Sequence, residues 1–139
     1  MEVLALQFKD WDLQVSPKYG ACILGCSYRG FDILRKAEAN WKYTHDPMLS
    51  SYFPLVPYSN RIANGQFKWE NKSFNLNPNH SDQKFPLHGI GWLSEWAVKD
   101  IKENSCSLEY KHIEGDWPWP FLVRQKIVLE DSSIKISLT

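Results

Sequence analysis

The sequence has no surplus of either charge: sixteen Lys and Arg balance sixteen Asp and Glu, with a pI near 6.9. Without a basic excess nothing is available to neutralise a phosphate backbone, so nucleic acid is excluded as the main partner. No window approaches the ~18 consecutive apolar residues that a membrane span needs. The N-terminal Met-Glu-Val-Leu-Ala-Leu-Gln-Phe-Lys-Asp lacks a basic stretch followed by an apolar run, so a secretory signal is not expected. Cysteine is scarce and odd in number, three in all, which argues against a disulfide framework. Cys22 and Cys26 on one strand would lie ~13 Å apart, beyond bridging distance. The three thiols therefore read as reduced, buried, small hydrophobes in a cytoplasmic protein. Asn71-Lys72-Ser73 and Asn79-His80-Ser81 match a glycosylation pattern that has no meaning without export. No Cys, His and Asp cluster has metal-ligand spacing around His88.

Helical periodicity is also missing. No segment sustains an apolar stripe at i, i+3, i+4 and i+7 over three turns, and only Phe31 to Asn40 has some helical composition. What dominates instead is alternation with a period of two. Cys22, Leu24, Cys26 and Tyr28 alternate with Ala21, Ile23, Gly25 and Ser27. Cys106, Leu108 and Tyr110 do the same, as do Phe121, Val123, Gln125, Ile127 and Leu129. Arg29-Gly30 leads into Phe31-Asp32-Ile33-Leu34, and Glu70-Asn71-Lys72 between Phe67 and Ser73 signals a hairpin. Asp131-Ser132-Ser133 turns into Ile134, Ile136 and Leu138. The expectation is an all-β chain, a β-sandwich, formed as a single domain over residues 1–139. Aromatic residues are abundant: 7 Trp, 6 Tyr and 7 Phe, 14% of 139 residues. They fill a β-rich core, or some of them line a site for a ring-shaped ligand.

Two stretches, Asn40 to Ala63 and Asn77 to Gly91, resist a strand reading, and loops of that length are commonly functional. In the first, Asn60 and Arg61 stand side by side after proline-stiffened chain. Arg offers a planar fork of donors and Asn one acceptor with two donors, which together suit adjacent hydroxyls on a sugar ring. A carboxylate partner for Arg61 and a turn cap for Asn60 account for the same pair equally well. In the second, His88 precedes a glycine, where backbone can approach a ligand closely. A histidine there serves as hydrogen-bond donor, acid, base or ligand, or is simply satisfied by backbone.

These segments in this order, Pro57-Tyr58-Ser59-Asn60-Arg61-Ile62 with Gly65 and Phe67, then Pro86-Leu87-His88-Gly89 with Gly91, Trp92 and Trp96, resemble the aldose 1-epimerase (galactose mutarotase) family. Supporting likeness runs through Gly20, Tyr28-Arg29-Gly30 and Trp117-Pro118-Trp119-Pro120-Phe121. The resemblance implies a β-sandwich of the supersandwich kind and a substrate-binding set of Asn60, Arg61, His88 and Trp92. Its implied activity is interconversion of the α and β anomers of a galactose- or glucose-type hexose by acid/base ring opening, with no cofactor. Phosphorylated hexose is a subsidiary expectation.

The resemblance further implies that the chain corresponds to the N-terminal half of such a protein. The family's acid histidine and base glutamate have no match here, so no catalytic residue is assigned. His112 beside Glu114 lacks the acid's context, and His45 and His80 have only loop settings. The alternative is a non-catalytic carbohydrate-binding β-sandwich. A strand running to Thr139 also raises self-association through uncovered sheet.

Overall fold

A computed structural model describes residues 1–139. Ten strands form three antiparallel sheets. The first has the order β1 (Leu4–Phe8), β2 (Trp11–Ser16), β3 (Cys22–Tyr28), β4 (Phe31–Leu34). A two-stranded ribbon pairs β5 (Gln66–Trp69) with β6 (Lys72–Asn75). The last sheet has β7 (Ala97–Lys102), β8 (Ser105–His112), β9 (Phe121–Leu129) and β10 (Ile134–Leu138), with β7 and β10 as its edges. The single α-turn, Trp41–Thr44, is four residues long, and no helix is long and apolar enough to cross a membrane.

The alternation read from the sequence has its physical counterpart here. Leu4 and Leu6 on β1, Trp11, Leu13 and Val15 on β2, and Ile23 and Cys26 on β3 face Cys106, Leu108, Val123, Ile127 and Leu129 across one shared core. Each such aliphatic side chain contributes roughly 1.5–3 kcal/mol when fully buried. Two polar links cross this core. Trp11 Nε1 donates to the Glu130 carbonyl at 2.8 Å. Gln125, with no exposed surface, donates through Nε2 to the Ala21 carbonyl at 3.1 Å.

The tight turns use left-handed backbone, as two-residue hairpins require. Arg29 and Gly30 have φ 51° and 78°, and Glu70 and Asn71 have φ 45° and 62°. The stretch from Phe31 to Asn40, the only one with some helical composition, contains no helix and opens as strand β4 over Phe31–Leu34, directly after the Arg29-Gly30 turn. Phe31 and Ile33 lie exposed at 75% and 50%, so this strand adds little to the core.

A second difference lies in β3. Its pairing to β2 slips between Gln14 and Val15, so that Gln14 opposes Gly25 but Val15 opposes Ile23. Leu24 is the extra residue of a bulge, and a one-residue slip exchanges the two faces of a strand. Ile23 and Cys26 therefore enter the main core, whereas Cys22 and Leu24 join a smaller cluster with Trp41. Cys22 and Cys26 do not share a face, and all three thiols are free and buried.

The stretches that lacked strand periodicity are irregular here too. Residues between β4 and β5, and between β6 and β7, contain little beyond the α-turn at Trp41–Thr44 and single 3-10 turns at Pro47–Leu49, Ala63–Gly65 and Gly91–Leu93. They meet each other through isolated bridges, Val56 with Gly89 and Arg61 with Leu87. Those bridges carry the site.

Candidate functional site

The loop before β5 and the loop before β7 cross at Asn60–Arg61 and Leu87–Gly89. The contact is reciprocal: His88 N–H donates to the Asn60 carbonyl at 2.9 Å, and Asn60 N–H donates to His88 Nδ1 at 2.8 Å. Both residues have left-handed backbone, Asn60 at φ 65° and His88 at φ 58°. Such conformations persist where surrounding bonds determine them. Gly89 (φ 67°) has Val56 so close that a Cβ would stand 2.1 Å from its carbonyl oxygen, so only glycine fits.

Accepting at Nδ1 decides the chemistry of the imidazole. A neutral histidine that accepts at Nδ1 carries its proton on Nε2, so the outward nitrogen is a donor. Burial, followed by the nearby Arg61 charge, lowers the His88 pKa below its ordinary value, and both effects favour this neutral form. Arg61 is exposed and forms no ion pair. Its Nε and Nη2 donate to Gln83 Oε1 at 3.0 and 2.6 Å, leaving Nη1 unclaimed. A concavity of about 520 Å³ opens in front of His88 between Ser51–Leu55 and Leu138. A second cavity, about 430 Å³, lies on the outer face of the first sheet between Asp12, Gln14, Gly25 and Trp41, and no residue of the Asn60–His88 crossing lines it.

Of the four residues expected to bind substrate, three come together: Asn60, Arg61 and His88. Trp92 sits differently. It has no exposed surface, so its ring offers no face to a ligand. The indole lies beneath the loop, stacked on Phe53 at 5.3 Å and edge-on to His88 at 6.2 Å. Its Nε1 donates to the Leu87 and Gly89 carbonyls at 3.0 and 3.1 Å. Asn60 also acts mainly through its backbone, while its Oδ1 accepts the Arg61 N–H at 2.9 Å.

The remaining histidines are committed elsewhere. His45 Nε2 contacts Glu2 Oε1 at 3.2 Å and the ring stacks on Tyr19. His112 is 5% exposed and bonds the Trp117 carbonyl at 2.8 Å. His80 stacks on Trp92, meets Asp46 Oδ2 at 3.2 Å, and accepts the Asp82 N–H at Nδ1. Glu109 and Glu130 have carboxyls held below their ordinary pKa, by Arg124 and by Lys135 respectively. That is the opposite direction to a base poised near neutrality. No group of three or more His, Cys, Asp or Glu is placed to hold a metal ion.

A family model for aldose 1-epimerase matches residues 12–139. The chain belongs to the aldose 1-epimerase family. Within that family it is 29% identical over 140 residues to an aldose 1-epimerase of Haemophilus influenzae, which covers 96% of this chain and 38% of that protein. It is 33% identical over 90 residues to the uncharacterized protein YphB of Escherichia coli, across 65% of this chain and 30% of YphB. Among solved structures, a candidate aldose 1-epimerase from Escherichia coli K12 superposes with a TM-score of 0.87 at 29% identity, over 98% of this chain and 44% of that one. A galactose 1-epimerase from Lactobacillus acidophilus shares the fold, with a TM-score of 0.64 at 17% identity over 90% of this chain and 38% of its own. The chain thus spans less than half the length of these aldose 1-epimerase relatives.

Sequence reasoning missed Asn79, Gln83 and the Asp46–His80 contact. In the sequence Asn79 stands out only as part of the Asn79-His80-Ser81 glycosylation pattern. Its side chain instead spans the His88 loop: Nδ2 donates to the Leu87 and Gly89 carbonyls at 2.8 and 2.6 Å, and Oδ1 accepts the Leu87 N–H at 2.8 Å. No periodicity or local motif marks such a contact.

Proposed function

We propose that this chain supplies the sugar-holding face of a mutarotase that interconverts the α and β anomers of a galactose- or glucose-type hexopyranose. The observation that carries this reading is the tautomer of His88. Its Nδ1 is filled by the Asn60 N–H, so Nε2–H is a donor on a residue that lines the concavity, while the neighbouring Arg61 keeps Nη1 free. Ring hydroxyls accept from such donors, each bond being worth about 1 kcal/mol net. Mutarotation also requires a base for the anomeric hydroxyl proton and an acid for the ring oxygen, so that the ring opens and recloses on the other face. His45, His80 and His112 are occupied as described, and the pair is read as coming from outside these 139 residues. Residues 1–139 act as one domain, in a cytoplasmic setting that suits three unpaired thiols. The edge strand β10, with Leu138 43% exposed, is read as a surface for further pairing.

Polarimetry on freshly dissolved α-galactose and α-glucose, beside sugar titration by tryptophan fluorescence, tests the reading. The expected result is saturable binding, weakened several-fold in Arg61→Ala, with anomer exchange by this chain no faster than buffer. One positioned acid or base contributes about 10²–10⁴-fold, and equal holding of ground and transition states does not speed the step. Exchange well above buffer would place the acid and base inside this chain. Absence of any sugar binding would refute the reading. A non-catalytic carbohydrate-binding β-sandwich is the second reading, favoured by the commitment of every other histidine. A longer form that binds sugar yet leaves exchange at the buffer rate would select it.

A further inference from the structure

The segment between β6 and the His88 loop has no regular structure, yet its side chains reach in four directions. Asn77 bonds Asp116 Oδ2 through its backbone and side-chain nitrogens, at 3.2 and 3.0 Å. Asn79 bridges the backbone on both sides of His88. His80 contacts Asp46 and stacks on Trp92. Gln83 takes the Arg61 guanidinium. The turn presenting Gln83 is itself closed by Gln83 N–H donating to the His80 carbonyl at 3.0 Å.

We propose that Asn79 and Gln83 are the positioning residues of the sugar site, Asn79 fixing the His88 loop and Gln83 fixing the plane of Arg61. The proposal rests on the reading that Arg61 and His88 hold the sugar. The left-handed pair His88–Gly89 turns the Leu87 and Gly89 carbonyls to one side, where the Asn79 amide and the Trp92 indole supply the donors that meet them. Asn79 alone also accepts the Leu87 N–H, so its amide satisfies both polarities of the loop at once. Loss of that grip frees His88 to turn away from the Asn60 N–H, and with it the tautomer that puts a proton on Nε2.

Gln83 solves a different problem. An exposed arginine has many rotamers, and holding one of them in advance removes that ordering from the binding step. A carboxylate would hold the guanidinium equally well but would offset its charge. The neutral amide oxygen leaves the full charge for the ligand.

The test uses the full chain, with galactose and glucose as probes and ¹⁵N NMR as a readout independent of sugar. In the unsubstituted protein the His88 imidazole should show the Nε2–H tautomer, and the Arg61 Nε–H should give an ordered signal. Gln83→Ala should abolish the ordered Arg61 signal and weaken sugar binding about five- to tenfold, leaving His88 unchanged. Gln83→Glu should restore the signal and return affinity to within about threefold, which a merely structural role would not produce. Asn79→Asp, which keeps the acceptor for Leu87 and loses both donors, should mix the His88 tautomers and weaken binding by a similar factor. Should that variant fail to fold, Asn79→Ser reads the same tautomer. Unchanged Arg61 order in Gln83→Ala, or an unchanged tautomer in folded Asn79 variants, overturns the proposal. If the NMR signatures shift as expected while no sugar binds even the unsubstituted chain, the positioning holds and the sugar reading fails.

Discussion

Gly89→Ala separates two effects that glycine conceals. The first is backbone strain: a left-handed φ costs an L-residue about 1 kcal/mol. The second is contact. A Cβ at Gly89 would stand 2.1 Å from the Val56 carbonyl oxygen and 2.5 Å from Pro57 Cδ, so the loops must part by more than an ångström. That oxygen accepts the Ile90 and Gly91 N–H groups at 3.0 and 3.1 Å, and each lost bond is worth about 1 kcal/mol. The sum is about 3 kcal/mol. Gly30 supplies the reference, since it too is left-handed, at φ 78°, but nothing lies within 4 Å of its Cβ position. Gly30→Ala should cost only the strain, and the unfolded-state effect of replacing glycine is common to both variants and cancels in the comparison. With a urea slope of about 2 kcal/mol/M, the midpoint of tryptophan fluorescence should fall by about 1.5 M for Gly89→Ala and about 0.5 M for Gly30→Ala. Equal midpoints in the two variants would show that the crossing of the loops carries no tension against Gly89, and the steric argument would be refuted.

The depressed pKa of His88 sets a direction for stability. Above the ordinary value of about 6.5 neither state of this imidazole is charged. As the pH falls below it, the unfolded chain gains a proton that the folded chain does not, so stability declines until the folded pKa is passed and then levels off. An NMR titration of the His88 ring should give a midpoint below 6.5, and a midpoint at or above it would contradict the role given to burial and Arg61. Burial pushes the Cys22 and Cys106 thiols up to about 11, so both should resist a thiol-directed disulfide reagent at pH 8 until denaturant is added; rapid modification of the native chain would refute this. Leu108, fully buried between β7 and β9, should lose about 2–5 kcal/mol on Leu108→Ala in a urea titration; a loss under 1 kcal/mol would mean that the two sheets do not share this core.

The sheets were legible because half-buried strands write their burial into alternate residues. Leu108, Val123, Ile127 and Leu129 are in the core where the alternation put them. The reading failed where the chain departs from strict pairing. The extra residue at Leu24 turns Cys22 to another cluster than Cys26, and a bulge leaves no trace in an alternation of apolar residues. Strand β4 follows the Arg29-Gly30 turn where the sequence put it, although it buries almost nothing. At the site, the bond between Asn60 and His88 follows two stretches that local motifs had singled out. Asn79 and Gln83 were hidden because they act on residues brought near by loop crossing, with no period to betray them. Trp92 illustrates the reverse error. Composition cannot distinguish an indole beside a ligand from one buried beneath the loop that holds it, and here the ring is fully enclosed.

The crossing of the two loops has a consequence for local opening. Amide hydrogens in irregular chain ordinarily exchange with solvent quickly, because little must break to expose them. Here Asn60, Leu87, His88, Ile90 and Gly91 all spend their N–H groups on partners in the opposite loop or on the Asn79 side chain. The amides of Asn60, His88, Ile90 and Gly91 cannot be released without parting the loops, and that of Leu87 cannot be released without losing the Asn79 bridge. They should exchange together, as one unit, at rates closer to those of β8 than to those of the Glu70–Asn71 turn. A segment that looks like connection in the sequence would then behave, on the timescale of minutes to hours, as part of the rigid frame.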